Sequence, residues 1–387
     1  MLAQPLQETD LQPLLFSDQH IKDLIKSGED SVSQSNFDDA ERYFTYALSN
    51  TNSQSRFYNL LLYRRAESRH DQGKYQLAEE DLSNIIVNLG PDNTDPHLFA
   101  RRGKVRFRIK SWTEAAHDLI IAISSKLLSD SDRIESLIFL SRIKCFEKAY
   151  LQAEQCSDEV LQFSNLSPLM RIRALHINAL AKYGLAKYEE AERGFSILLE
   201  GDYFNPLVRF VMLLKRARIM RLRGDFAAAQ VDYQQASICK ISPYMLGEAL
   251  YRAGRMADLQ HKFAGAEDLY TQALSTYAFS TKFESKILFH RGQVRYSQGK
   301  LKEALTDFKE ALASNDLPAN SHSDALVLTS HCLSYYKAVQ KIEAFRKPGE
   351  EAQTRKAFRE SGELSLEGGL FTTRPPYPLY ISPRPRV

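Results

Sequence analysis

The chain has 387 residues, enough for two or three ordinary domains, and its 43% hydrophobic content suffices to bury a substantial core. Its 51 basic and 48 acidic residues leave a net charge of only +3, which argues against a protein held on nucleic acid or membrane by bulk charge. The four cysteines, Cys145, Cys156, Cys239 and Cys332, form no CxxC pair, as expected of a reduced intracellular protein in which thiols serve as small apolar side chains.

Residues 1–20 form an N-terminal extension. It opens MLAQPLQETDLQPLLF, with no basic start and no continuous apolar run, and no stretch of the chain approaches a membrane span. A soluble, cytoplasmic protein is expected.

From 21 to 315 the chain repeats itself. Ala40, Ala78, Ala115, Ala153, Ala191, Ala229, Ala266 and Ala304 recur every 37 or 38 residues. Three residues before each stands Phe37, Tyr75, Trp112, Tyr150, Tyr188, Phe226, Phe263 or Leu301. Four residues after come Phe44, Leu82, Leu119, Ser157, Phe195, Tyr233, Tyr270 and Phe308. These spacings put them on one helical face. Twelve residues before the alanine the side chain is always small, from Gly28 and Ala66 through Gly103 and Ser141 to Gly254 and Gly292. Sixteen before, it is always large and apolar, as in Leu24, Phe99 and Leu288. A short polar or glycine-bearing stretch such as DQGK (71 to 74) separates the halves, so each of eight units reads as helix A, tight turn, helix B. The small residue and the alanine predict a close approach of the two backbones, and one such hairpin needs its neighbours to bury its apolar face.

Small residue, alanine, aromatic and leucine at these offsets resemble the tetratricopeptide repeat. The resemblance implies an all-α fold, a right-handed superhelical solenoid of antiparallel helix pairs. The unit is three to four residues longer than the usual 34, which predicts a longer helix B or inter-repeat loop, and the proline that commonly follows helix B is mostly missing.

Residues 316–346 predict a C-terminal capping helix whose polar outer face closes the exposed end. The tail, 347–387, contains proline and glycine without periodicity and is expected to be disordered. Within it RPPYP (374 to 378) resembles a polyproline ligand, and Ser382 before Pro383 fits a phosphorylation site, though both motifs are short and common.

Charge is unevenly placed: the helix A segments are net basic and the rest of the chain net acidic. Lys26, Arg64, Arg101, Lys215, Arg252 and His290 stand fourteen before the alanine, and Lys104, Arg142, Arg218 and Arg255 eleven before it. Three apart on a helix, the two columns share a face, and in the resembling family that face lines the concave groove for ligand peptides. The expected function is a non-enzymatic scaffold or adaptor binding an acidic or phosphorylated segment of a protein partner, arginine being suited to bidentate grip of carboxylate or phosphate. Against this stands neutralisation of the ladder by the acidic helix B segments DDAER, AEEDL, EEAER and GAEDL. A further column, nine before the alanine, holds Arg69, Arg106, Lys144, Lys182 and Arg295 where the family usually has an aromatic, a departure the sequence does not explain.

Two alternatives belong to other classes. Arginine and aromatic residues interleave in RRGKVRFRIK (101 to 110), and KRARIMRLR (215 to 223) is arginine-rich, as an RNA- or DNA-binding helical repeat would require, but nucleic acid is the less favoured ligand. The heat-shock carboxylate clamp of chaperone co-factors in the family maps onto Ile25, Glu29, Arg64, His97 and Arg101, of which only Arg101 matches. No Walker loop, GxGxxG, GxSxG or HExxH occurs, and the histidines show no metal-ligand spacing, so no cofactor, metal or catalytic residue is expected.

Overall fold

A computed structural model describes residues 17–345, apart from 91–92, 240, 277–278 and 315. Most of the predicted N-terminal extension and the whole predicted tail, with RPPYP and Ser382, lie outside the described residues. The chain divides into two compact units, Met1–Gly194 and Phe195–Val387. In the first, helices α1 (Asp18–Ser33), α3 (Tyr58–Asp71), α5 (Pro96–Arg108), α7 (Asp130–Phe146) and α9 (Pro168–Gly184) alternate with α2 (Phe37–Ser49), α4 (Tyr75–Leu89), α6 (Trp112–Ser124) and α8 (Tyr150–Leu161). The unit boundary falls inside α10 (Tyr188–Glu200). The second contains α11 (Pro206–Leu222), α12 (Phe226–Ser237), α13 (Pro243–Leu259), α14 (Phe263–Leu274), α15 (Thr281–Ser297), α16 (Leu301–Ala313) and α17 (Ala319–Phe345). The fold is an all-α repeat solenoid of helix pairs. No described helix is long and apolar enough to cross a membrane.

Local chemistry sets the helix boundaries. Most odd-numbered helices begin at an N-cap whose side chain accepts an N–H of the first turn, as Ser129 does from Asp132 and Asn205 from Val208. Pro96, Pro168, Pro206 and Pro243 occupy the first turn of their helices, where a missing N–H costs nothing. Every odd helix through α15 is joined to its even partner by a three-residue turn whose middle residue lies in the left-handed region: Ser35, Gly73, Lys110, Lys148, Ala186, Gly224, His261 and Gly299. The turn's last N–H then donates back across the helix end, Lys74 to the Arg69 carbonyl at 2.8 Å and Ser111 to that of Arg106 at 3.0 Å. This geometry satisfies carbonyls that the helix end would leave orphaned. At five of the eight turns a residue with a Cβ bears the strain that glycine avoids.

The packing follows the columns. All eight alanines of the repeat are 0% exposed. The small residue on the odd helix makes room for the large one four after the alanine: a Cβ on Gly28 would stand 2.5 Å from Phe44, on Gly103 2.8 Å from Leu119, and on Gly292 2.6 Å from Phe308. The added repeat length lies in the inter-repeat segment, as expected, before α3 and α5, but from α7 to α15 it lies in helix A rather than helix B. Even helices α2 to α16 span only 12 to 15 residues, whereas α7, α9, α11, α13 and α15 each span 17; around α3 and α5 it is the preceding segment that is longer.

A recurrent ion network ties the pairs together. Arg65 grips Asp81 through two hydrogen bonds, at 2.7 and 3.0 Å, and Arg102 with Asp118, Arg216 with Asp232 and Arg291 with Asp307 repeat the arrangement. Each aspartate is almost fully buried on an even helix. Arg69 donates both to Asp81 (2.8 Å) and to Glu41 of the preceding even helix (2.7 Å). Arg106 does so to Asp118 and Glu79, and Arg295 to Asp307 and Glu267. In these three units the position that lacks the family's aromatic therefore carries a guanidinium that bridges three helices, whereas Lys144 and Lys182 pair with Glu147 and Glu190. Gln72, Gln260 and Gln298 add a donor to the backbone carbonyls of Phe37, Phe226 and Phe263 in the preceding even helix.

The last helix departs from expectation. α17 packs Ala325, Leu328 and Cys332 against the core that includes Phe308 and Ala311, but its remaining faces expose Leu326, Val327, Leu333, Tyr335 and Tyr336. The outer face is thus substantially apolar rather than polar.

Candidate functional site

Within the first unit α7 touches α5 and α9 as well as its partner α8, and in the second α13 touches α15; the even helices make no comparable approach to one another among the described residues. The odd helices therefore line the inner side of each unit's curve. The ladder predicted from the sequence lies on these helices, with the residue eleven before one alanine beside the residue fourteen before the next.

That register decides which cations are compensated. Arg64 meets Glu29 at 2.9 Å and Glu67 at 3.2 Å, and exposed Arg101 reaches Glu67 at 3.7 Å. Lys104 is only 8% exposed, its ammonium 2.5 Å from Glu135 and 3.3 Å from Asp132. Burial opposes ionisation of Asp132, but Ser129, Lys104 and His97 outweigh it and hold the carboxyl below its usual range. Arg252 is bonded to Glu248 at 2.6 Å. Lys26 and Arg218 are exposed and form no ion pair among the described residues, while Lys215 is half-buried and not free.

His290 is not a cation in this ladder. Burial first, and the neighbouring Arg255 second, push it well below the usual histidine range. Arg255 can only donate, so at 2.6 Å the His290 Nε2 accepts, and the proton on Nδ1 is donated to Gln293 Oε1 at 3.0 Å.

Arg142 stands apart. Its guanidinium lies over the Phe107 ring at 4.7 Å and the Phe139 ring at 6.0 Å, and it meets no carboxylate among the described residues. Partial desolvation comes first, then the like charges of Arg108 and Arg173, in depressing it below the usual arginine range. Both neighbours are exposed and likewise form no ion pair among the described residues. Phe107 further packs edge-on against Trp112 at 5.1 Å and Phe139 at 5.0 Å.

Among the described residues no helix B carboxylate pairs with the ladder cations Arg64, Arg101, Lys104 or Arg252. Asp81, Asp118, Asp232, Asp307, Glu41, Glu79 and Glu267 are bound to the guanidiniums thirteen and nine before the alanine, and the inner carboxylates come from odd helices instead. The column thirteen before has its own sequence signal, an Arg followed sixteen residues later by Asp in four units. Arg108 lies in the noted 101 to 110 stretch, but Arg173 had no sequence signal beyond its charge. Cys156 and Cys332, pushed up to about 11 by burial, are inert thiols.

The tetratricopeptide repeat family model matches residues 26–94 and 260–319. No curated protein matches the chain by sequence. Among solved structures, the apo form of RapI is 14% identical, with 88% of this chain and 96% of that chain covered and a TM-score of 0.52. A tetratricopeptide repeat protein from Parabacteroides merdae ATCC 43184 is 18% identical over 70% of this chain and 97% of that one, with a TM-score of 0.46. A Signal Transduction ATPase with Numerous Domains protein from Pyrococcus horikoshii, with a tetratricopeptide repeat sensor, is 12% identical over 84% of this chain and 54% of its own, with a TM-score of 0.49. The likeness to RapI is one of fold.

Proposed function

Because the chain is a tetratricopeptide repeat protein, we propose that it is a non-enzymatic scaffold holding a segment of a protein partner, acidic or phosphorylated, against the inner faces of its odd-numbered helices. One observation carries the charge preference. Asp81, Asp118 and Asp307 of the even helices are committed to a buried network, whereas Lys26, Arg142 and Arg218 stand exposed on the odd helices with no carboxylate bound among the described residues. A desolvated acidic group arriving there replaces water with guanidinium donors. The bond from Arg64 to Glu29 counts against a chaperone-type clamp, since a carboxylate already occupies the position where that clamp needs a donor.

The test is selection of unphosphorylated random peptides on the full chain. Acidic peptides should be enriched, and Arg101→Glu with Arg218→Glu, both exposed, should abolish the enrichment while circular dichroism stays unchanged. Equal recovery of acidic and basic peptides by the unaltered chain would overturn the reading.

A further inference from the structure

The inner face of the first unit is not uniformly charged. Toward α3 its cations are compensated: Arg64 by Glu29 and Glu67, Arg101 by Glu67, and Lys104 by Asp132 and Glu135. On α5, α7 and α9 three arginines, Arg108, Arg142 and Arg173, have no such compensation among the described residues, and the charges of the outer two bear on the middle one. Clustering like charges is costly, and here the aromatic wall holds the central group in place. The Phe107 and Phe139 rings hold the Arg142 guanidinium at 4.7 and 6.0 Å, and its N–H donors are used by no described residue.

We propose that Arg108, Arg142 and Arg173 form a subsite for a phosphate monoester on a side chain of the protein partner. This rests on the reading of the inner face as the partner-binding surface and names what that surface takes. A lone carboxylate would leave the cluster with a large positive excess. A phosphate monoester brings between one and a half and two negative charges, with three acceptor oxygens, to a trio of forked donors. A nucleic acid fits less well, because a continuous run of phosphodiesters would pass from this cluster onto Glu67 and Glu135.

The sole tryptophan, Trp112, packs on the same Phe107 ring and makes the site observable in the full chain. Its fluorescence is titrated at constant ionic strength with O-phospho-L-serine, inorganic phosphate, acetate and a ten-residue oligothymidylate. Phosphoserine and inorganic phosphate should give saturable changes at millimolar concentration, acetate none. Arg142→Gln and Arg108→Gln should each weaken phosphoserine at least tenfold, and Lys302→Gln, exposed on the even helix α16, should leave it unchanged. A response to acetate matching phosphate, an Arg142→Gln response equal to that of the unaltered chain, or tighter binding of the oligothymidylate than of phosphoserine overturns the subsite. Loss of the phosphoserine response with acidic-peptide enrichment intact overturns the subsite alone. A phosphate response without peptide enrichment overturns the partner reading and reduces the cluster to a small-anion site.

Discussion

Helix pairs α5/α6 and α7/α8 are built on the same columns and hold together by different means. In α5/α6, Gly103 receives Leu119, and Arg102 and Arg106 converge on Asp118, itself 0% exposed. In α7/α8 the corresponding arginine and aspartate positions are Leu140 and Cys156, which pack on Phe107, Ala115 and Leu119 instead. The glycine and leucine positions are Ser141 and Ser157; both hydroxyls turn back to carbonyls of their own helices, and Asn178 of α9 donates to Ser157 at 3.0 Å. The buried Arg–Asp pair is thus dispensable to the fold, yet its members come and go together. The same holds where Ser27 faces Tyr43 and Ala253 faces Leu269 in the sequence register. Physics accounts for the coupling: a buried pair exchanged whole for apolar groups is near neutral, while half a pair leaves an uncompensated buried charge.

The largest expected effect breaks one pair. Asp118→Ala strands Arg102, leaves Arg106 only its Glu79 partner, and should cost about 3–5 kcal/mol in urea denaturation. Cys156→Asp should cost a similar amount in α7/α8, and adding Leu140→Arg should recover most of it; no recovery would mean that the arginine position alone does not define the pair. Next comes packing. Gly103→Ala drives a Cβ to 2.8 Å from Leu119 and should destabilise by about 1–2 kcal/mol despite the better helix propensity of alanine, whereas Ser141→Ala should be close to neutral.

Acid should weaken the network itself. Burial raises the Glu41 and Glu267 carboxyls, but Lys74 and Arg69 on the first, and Lys300, Arg295 and Gln298 on the second, outweigh it and hold both below the usual range. A carboxyl depressed on folding stabilises above its unfolded value and loses that contribution as pH falls through the folded one. The urea midpoint should therefore drop as pH falls below about 4, less steeply in the Glu41→Gln, Glu267→Gln double variant. The smallest effect should be common to both pairs. Lys110→Gly and Lys148→Gly relieve the same left-handed turn and should each add about 0.5–1 kcal/mol, read as equal shifts in the urea midpoint.

The helix positions were legible because packing imposes a residue type at each column. The alanines are fully buried and the small residues oppose a large side chain, so composition there has one cause. Charged columns carry no such signature. Arg102 and Arg101 are sequence neighbours, yet one is locked on Asp118 and the other lies exposed. Which of two adjacent arginines is free depends on a neighbouring helix 16 to 35 residues away, as for Arg102 with Asp118 and Arg255 with His290. The ladder drawn from spacing alone therefore included a neutral His290 and a buried, paired Lys104.

The ion and amide bridges between successive helices also bear on how the chain acquires its structure. Among the described residues no side-chain hydrogen bond spans more than 38 positions, the separation of Arg56 and Asp18. With every closure short, the entropy lost in forming any one contact is small, and folding is expected to be fast for a chain of this length. The Lys74, Arg69 and Gln72 bridges to α2 need nothing C-terminal to α4, so this end of the molecule can consolidate while the remainder is still being synthesised.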